Sequence, residues 1–311
     1  MLDVSLKQLA YVEAAGRLGS IASASKALQI SESSITAAID GLETRLGFDL
    51  FVRVPAKGIS TTPVGEEALA LISRFLKDAR ATRAELGSLG GLAQGFVQVA
   101  CFATAAANFL PDLLIQYAED YPSVEVHLAE GDIELAIEHL DHGRADVAFT
   151  YEDVVLDTQD FRPLVPAPAY ALIARSNPLS EAPDVTLEEL SRYGMIALTL
   201  RRTRDYYTGM FAKAGLPVRV VHATPSTEMI RPLVAAGLGF TILNALPPNY
   251  LTDDPRFRAV PLKNGPEPRI FGIATMKGVR QTRACESFLK TVDNFRDSGG
   301  FQALAISTAK N

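Results

Sequence analysis

Apolar residues in the first ninety positions recur at helical spacing and are broken by glycine or serine at short intervals. Leu6, Leu9, Ala10 and Val12 to Ala14 fall on one helical face that stops at Gly16 and Gly19, which predicts a helix from about Ser5 to Ala15. Ser20 can accept from free backbone donors and opens a second helix over Ile21 to Leu28, with Ala24 and Ala27 small enough for another helix to approach. Ser31 opens a third, whose Ile35, Ile39, Leu42 and Leu46 form a single stripe ending at Gly47. Phe48 to Pro63 then reads as a short hairpin with Gly58 near its tip and Arg53 and Lys57 beside it.

From Pro63 to about Ser88 one long amphipathic helix is predicted, with Leu69, Ile72, Leu76, Ala79, Arg83 and Leu86 at alternating three and four spacing. That is the seam of a short coiled coil, so these residues are expected to dimerise; packing against the helix's own domain is the alternative. Gly87 to Gly91 reads as a hinge. Beyond it the period switches: strands at 96–100, 124–128 and 146–151 alternate with helices at 108–121 and 132–142, which predicts a parallel sheet with crossover helices. The alternation resumes from Ala169 to Leu243, and Phe271 to Thr275 and Arg283 to Phe295 supply a returning strand and a closing helix. Prolines 163, 166 and 168 on one side and 261, 266 and 268 on the other mark two crossings between subdomains.

The expected class is therefore an α+β multi-domain chain: a helix-turn-helix with a wing over residues 1–65, a linker helix and hinge over 66–91, and an α/β domain over 92–311. The last divides into subdomain I, about 92–164 and 268–300, and subdomain II, about 165–267. Two helices joined by so short a turn, with small polar groups on the exposed start of the second, match the geometry in which that start enters the major groove. Ser20, Ser31, Glu32, Ser33, Ser34 and Thr36 are the expected duplex-facing residues, and Arg53 and Lys57 the expected phosphate contacts. An ordinary three-helix bundle with a solvated charged turn is the competing reading.

Charge and composition narrow the function. The net charge is -6, and residues 1–65 hold six bases against six acids, so any grip on a duplex comes from one presented face rather than from a basic coat. Only Cys101 and Cys285 are present, which is no disulfide framework and reads as two buried apolar residues rather than a redox pair. No apolar run nears the roughly 20 residues that span a bilayer, and Met1 to Lys7 lacks the pattern of a secretion signal, so a cytoplasmic address without membrane contact is expected. Gly-x-Ser-x-Gly, His-Glu-x-x-His, Gly-x-x-x-x-Gly-Lys and Gly-x-Gly-x-x-Gly are all missing, which argues against the commoner enzymes. His139 and His142 close a helix before Gly143 and read as end caps, so neither metal nor cofactor is expected.

Leu6-Lys7-Gln8-Leu9, Gly19-Ser20, Ala24, Ile30-Ser31, Leu42-Glu43, Leu46-Gly47, Leu50-Phe51, Arg53 and Thr62-Pro63-Val64-Gly65 together resemble the N-terminal signature of LysR-type transcriptional regulators. Leu110-Pro111, Tyr121-Pro122, Glu130-Gly131-Asp132, Asp146-Val147-Ala148 and Val234 to Gly239 resemble that family's effector domain, itself similar to periplasmic solute-binding proteins. Where the family has a Gln-Pro pair at the start of the recognition helix, this chain has Glu32-Ser33. The resemblance implies a homo-oligomer, dimer or tetramer, on an interrupted palindromic site of double-stranded DNA, switched by a small molecule in a cleft. Carried over position by position, the cleft residues are Thr104, Phe149, Thr150, Thr199, Ser226, Thr227 and Asn244. Arg201, Arg202 and Arg204 can fork a carboxylate or phosphate, or else pair with surface acids such as Asp205 and Asp184; Tyr206 and Tyr207 offer either stacking or packing. A carboxylate effector is the expectation. A solute receptor or an enzyme built on the same cleft is the alternative.

Overall fold

The computed structural model describes residues 4–54, 58–87, 95–200, 203–246, 254–263 and 265–306. They divide into two compact units, residues 1–89 with 142–144 and residues 90–141 with 145–311, each considered in turn. Lys57, Arg201, Arg202 and most of the expected hinge at 87–91 lie outside the described residues, as does the side chain of Arg53.

The first unit opens with α1 (Leu6–Leu18), α2 (Ile21–Leu28) and α3 (Glu32–Leu46), followed by the hairpin β1 (Phe51–Val54) and β2 (Gly58–Thr61) and by α4 (Pro63–Gly87). Each of the first three helices starts on a serine that accepts from a backbone N–H three residues on: Ser5 from Gln8, Ser20 from Ser23, Ser31 from Ser34. Gly19 closes α1 at φ 62, a left-handed conformation that a side chain resists, and this leaves only Gly19 and Ser20 between α1 and α2. Val12, Ala15, Ala24, Ile35, Ile39, Leu42, Leu50 and Phe51 make the buried core. Gly16 permits α4 to lie close to α1, since a Cβ there would stand 2.5 Å from Leu69 Cδ1.

Leu69 and Ile72 are half-buried and pack on the helix-turn-helix core. Leu76 and Ala79 are half-buried and Leu86 is exposed. Among the described side chains of α4, the large apolar groups left exposed are Val64, Leu71, Phe75 and Leu86, of which only Leu86 belongs to the expected seam.

The second unit holds two subdomains. In the first, β3 (Gly95–Phe102), α5 (Ala103–Asp120), β4 (Val124–Gly131), α6 (Ile133–Asp141) and β5 (Val147–Tyr151) supply the parallel strands, with β3 paired to both β4 and β5. The full sheet runs β4-β3-β5-β12-β6, and β12 (Arg269–Met276) is antiparallel to both β5 and β6 (Gln159–Ala167). The sheet is thus mixed, not wholly parallel. Pro163 and Pro166 lie inside β6, which the sheet tolerates because β6 is an edge strand and a register shift between Phe271 and Gly272 leaves Leu164 unpaired, whereas Pro168 follows the strand where the chain crosses. α10 (Arg283–Asp297) covers this sheet with an almost continuous buried face.

The second subdomain contains β7 (Tyr170–Ala174), α7 (Leu187–Ser191), β8 (Gly194–Leu198), α8 (Thr203–Lys213), β9 (Arg219–Thr224), α9 (Thr227–Ala235), β10 (Thr241–Leu243) and β11 (Phe257–Pro261). β7 pairs antiparallel with β10 and β11, β8 pairs parallel with β9, and a bridge from Met195 to Phe240 joins the two groups. Its core is separate from that of the first subdomain, around Ile173, Leu190, Met195, Phe211, Phe240 and Ile242. The chain crosses between subdomains after Ala167 and again before Arg269.

Candidate functional site

Two places in the molecule gather polar groups that the folding of the core does not require. One is the leading turn of α3. Ile35, Ala38, Ile39 and Leu42 turn inward, and this forces Ser31, Glu32, Ser33 and Ser34 outward, where all four are exposed. The Ser31 hydroxyl lies 2.9 Å from that of Ser33 and 2.8 Å from that of Ser34, so the turn presents a knot of hydroxyls over free backbone donors. Thr36 is half-buried and Ala37 exposed one turn further along. Ser20 is half-buried at the start of α2, where it serves as the cap of that helix.

The hairpin is fixed relative to α3 by a residue that spacing alone did not single out. Glu43 on α3 accepts from the backbone N–H groups of Leu50 at 2.7 Å and Phe51 at 3.0 Å, both in the approach to β1. Arg53 in β1 pairs through its backbone with Ile59, which puts its Cα on the two-stranded wing. Thr62 closes the arrangement, donating its hydroxyl to Asp49 O at 2.8 Å and accepting from Gly65 N at 2.9 Å as α4 begins.

The other place is the crossing region between subdomains. Thr104 sits in the first turn of α5 and Thr150 near the end of β5; both hydroxyl oxygens are buried with no partner among the described residues. Thr199 follows β8 and donates its N–H to Thr224 O at 2.8 Å, while Ser226 caps α9 by accepting from Met229 N and Thr227 is its first residue. These are strand ends and helix starts, where ligands of open α/β sheets sit.

Two of the expected cleft residues are engaged elsewhere. Phe149 is fully buried, its ring 4.9 Å from that of Phe109 and 6.4 Å from those of Phe271 and Phe301, so it is a core residue of the first subdomain. Strand alternation explains this, because Phe149 and Tyr151 share the face opposite Thr150. Asn244 uses both ends of its amide within the protein, donating Nδ2–H to Ala167 O at 2.8 Å and accepting from the Tyr207 hydroxyl at 3.0 Å. It pins the crossing instead of offering groups to solvent. Tyr207 is accordingly a packing residue, and burial holds its hydroxyl well above the usual tyrosine range.

Tyr206 meets a cation of its own chain. Its ring meets the guanidinium of Arg269, which also packs on Tyr151, and Arg269 is the chief residue of this region that the sequence pattern did not mark. The available signal was a lone cation opening the apolar run Ile270-Phe271-Gly272-Ile273. Burial raises the Tyr151 hydroxyl far above its ordinary range, with the Arg269 charge acting against that shift. Cys101 is likewise pushed up, first by burial and then by Glu130; with Cys285 also buried, neither is placed for redox chemistry. Among the described residues no cluster of His, Cys, Asp or Glu could hold a metal ion, and no helix is long and apolar enough to cross a membrane.

A winged helix-turn-helix ahead of a two-subdomain solute-binding fold is the plan of a DNA-binding regulator that senses a small molecule. Comparison with known proteins gives the family. Residues 6–66 match the model of the bacterial regulatory helix-turn-helix proteins of the lysR family, and residues 90–296 match that of the LysR substrate binding domain. The chain belongs to the LysR family of transcriptional regulators. Among its relatives, the transcriptional regulator CysB of Haemophilus influenzae is 27% identical over 261 residues, 81% of this chain and 79% of that protein. SsuR of Burkholderia cenocepacia is 26% identical over 250 residues, 78% and 80% of the two chains. In three dimensions the chain is similar to HinK, a LysR family regulator of Pseudomonas aeruginosa, at 28% identity and a TM-score of 0.59, covering 95% of this chain and 98% of that one. A full-length OxyR variant from the same organism shares the fold at 21% identity and a TM-score of 0.69, over 93% and 97% of the two chains. The chain is thus a DNA-binding transcriptional regulator with an effector-binding domain, and not an enzyme.

Proposed function

We propose that the protein works in the cytoplasm as a homo-oligomer, a dimer or a tetramer of two dimers, gripping an interrupted palindromic promoter site through paired α3 helices. A small anionic molecule bound between the two subdomains switches it. The observation that carries this reading is the leading turn of α3, exposed over Ser31 to Ser34 while its back is buried in the core. Ser33 and Ser34 meet base edges, and Glu32, an acceptor where the family has glutamine, favours a donor such as the cytosine amino group. The wing residues Arg53 and Lys57 take phosphates. Oligomers form through the open stripe of α4, Leu71 and Phe75 foremost, since Leu69 and Ile72 are already used.

The cleft is the sensor. Thr104 and Thr150 supply unpartnered hydroxyls and α5 its first-turn N–H groups, with Thr199, Ser226 and Thr227 on the facing subdomain. A ligand can shift this equilibrium only by binding one arrangement better than the other. Footprinting on the duplex upstream of the gene tests the whole reading, with protection expected at two half-sites on one face of the helix. Thr104→Val should leave that footprint in place and remove its response to effector; an unaltered response takes Thr104 out of the sensor.

A further inference from the structure

Arg269 begins β12, where the chain returns to the first subdomain, and its side chain keeps only 8% of its surface. Its guanidinium carbon lies 3.9 Å from the ring centroid of Tyr151, at the end of β5, and 4.6 Å from that of Tyr206, on α8 of the other subdomain. Nε and Nη2 donate to one and the same oxygen of Asp153, at 3.1 and 2.6 Å. Among the described residues the hydrogen bonds of this guanidinium run through Nε and Nη2, which leaves the Nη1 edge for a further acceptor. Beside this group the Tyr151 hydroxyl is buried, also without a partner.

A guanidinium this far from water is costly unless its planar fork of donors is filled, and a buried hydroxyl without a partner adds to that cost. With two ring faces packed on the cation, its remaining capacity is the N–H edge, which a planar two-oxygen acceptor fits best. Asp153 does not close the site, because its side chain is 53% exposed and it lends a single oxygen. Nothing comparable pulls an anion toward Phe149 or Asn244, which are already engaged.

We propose that Arg269, with the Tyr151 hydroxyl, is the anchor for a carboxylate of the effector, which takes over donors that Asp153 now shares. This rests on the sensor reading of the cleft and assigns its acid-binding end to the start of β12. Because Tyr206 rides on the same guanidinium, a ligand held there also feels the spacing of the two subdomains.

The test uses the full chain and thermal unfolding followed by circular dichroism, titrating sodium acetate, succinate and benzoate against sodium chloride and sodium sulfate at matched ionic strength. At least one carboxylate should raise the midpoint saturably. Its dissociation constant should weaken at least tenfold in Arg269→Gln and tighten several-fold in Asp153→Asn, where the competing acid is gone. Equal affinity in Arg269→Gln, no response to any carboxylate in the unaltered protein, or equal stabilisation by sulfate would overturn the proposal. Should Arg269→Gln not fold, Asp153→Asn decides alone, unchanged affinity counting against it. A gel shift on the same variants keeps the two readings apart: duplex binding retained while carboxylate binding fails removes the anchor only, whereas duplex binding absent from the unaltered protein removes the regulator.

Discussion

The carboxylate of Glu43 accepts from two successive backbone N–H groups at the entrance to the wing, and so sets how the hairpin stands beside the recognition helix. Hydrogen bonds to a charged acceptor contribute about 1.5–3 kcal/mol, and Glu43→Ala strands both donors. That substitution should lower the stability of the first unit by about 2 kcal/mol in urea unfolding and weaken duplex binding, whereas Glu43→Gln, which keeps an acceptor, should recover most of both. Equal losses in the two variants would show that the carboxylate positions nothing. At this scale the sequence was a partial guide. The caps at Ser20 and Ser31 were readable because capping is local, acting over three residues. Glu43 acts over seven and eight residues and Arg269 on Asp153 over 116, separations at which no periodicity speaks. Phe149 and Thr150 are neighbours on a strand and so face opposite ways, a distinction that carrying a cleft over position by position does not make.

Elements were read more surely than their ends. α5 begins at Ala103 and not at Asn108, because the small apolar run Ala105 to Ala107 has no helical stripe for periodicity to catch while its helix propensity is high. Pro163 and Pro166 mark a crossing by composition yet stand inside β6, where an edge position tolerates them. The strand β11 was missed beside Pro261 in the same way. α4 offers the sharpest case: two apolar stripes lie on one helix, and the close approach of α1 decides which of them is spent inside the monomer. Leu71→Asp with Phe75→Asp should therefore shift the protein to monomers in sedimentation velocity without lowering its thermal midpoint at a fixed low concentration. Leu69→Ala should instead destabilise the helix-turn-helix unit by about 2 kcal/mol and leave the association state unchanged. If the exchange of roles failed, with Leu69 governing assembly, the stripe is wrongly assigned.

For the whole molecule, the effector domain carries a set of buried tyrosines whose ionisation is coupled to its folding. Tyr117 donates its hydroxyl to Ala284 O at 3.0 Å under α10, and burial foremost pushes it up to about 12; Tyr151, Tyr170 and Tyr207 are raised as well, in each case chiefly by burial. In the unfolded chain these hydroxyls titrate near 10. A folded value above the unfolded one means stability that is complete below pH 10 and is lost as pH climbs toward and through the folded values. Absorbance of tyrosinate near 295 nm should then show the buried set ionising above pH 10, together with loss of far-ultraviolet circular dichroism. Titration of every tyrosine in one phase near 10, with structure intact, would contradict the burial of this cluster.

The claim on which the function turns is that the outward turn from Ser31 to Ser34 reads a duplex, and selection of binding sites from a random DNA pool by the full-length protein measures it most directly. Enrichment of an inverted repeat whose half-sites lie a whole number of helical turns apart is expected, with the preferred base at one position of each half-site changed when Ser33 and Ser34 are replaced by alanine. A pool that remains unenriched, or a motif identical for the unaltered and the doubly substituted protein, would contradict it.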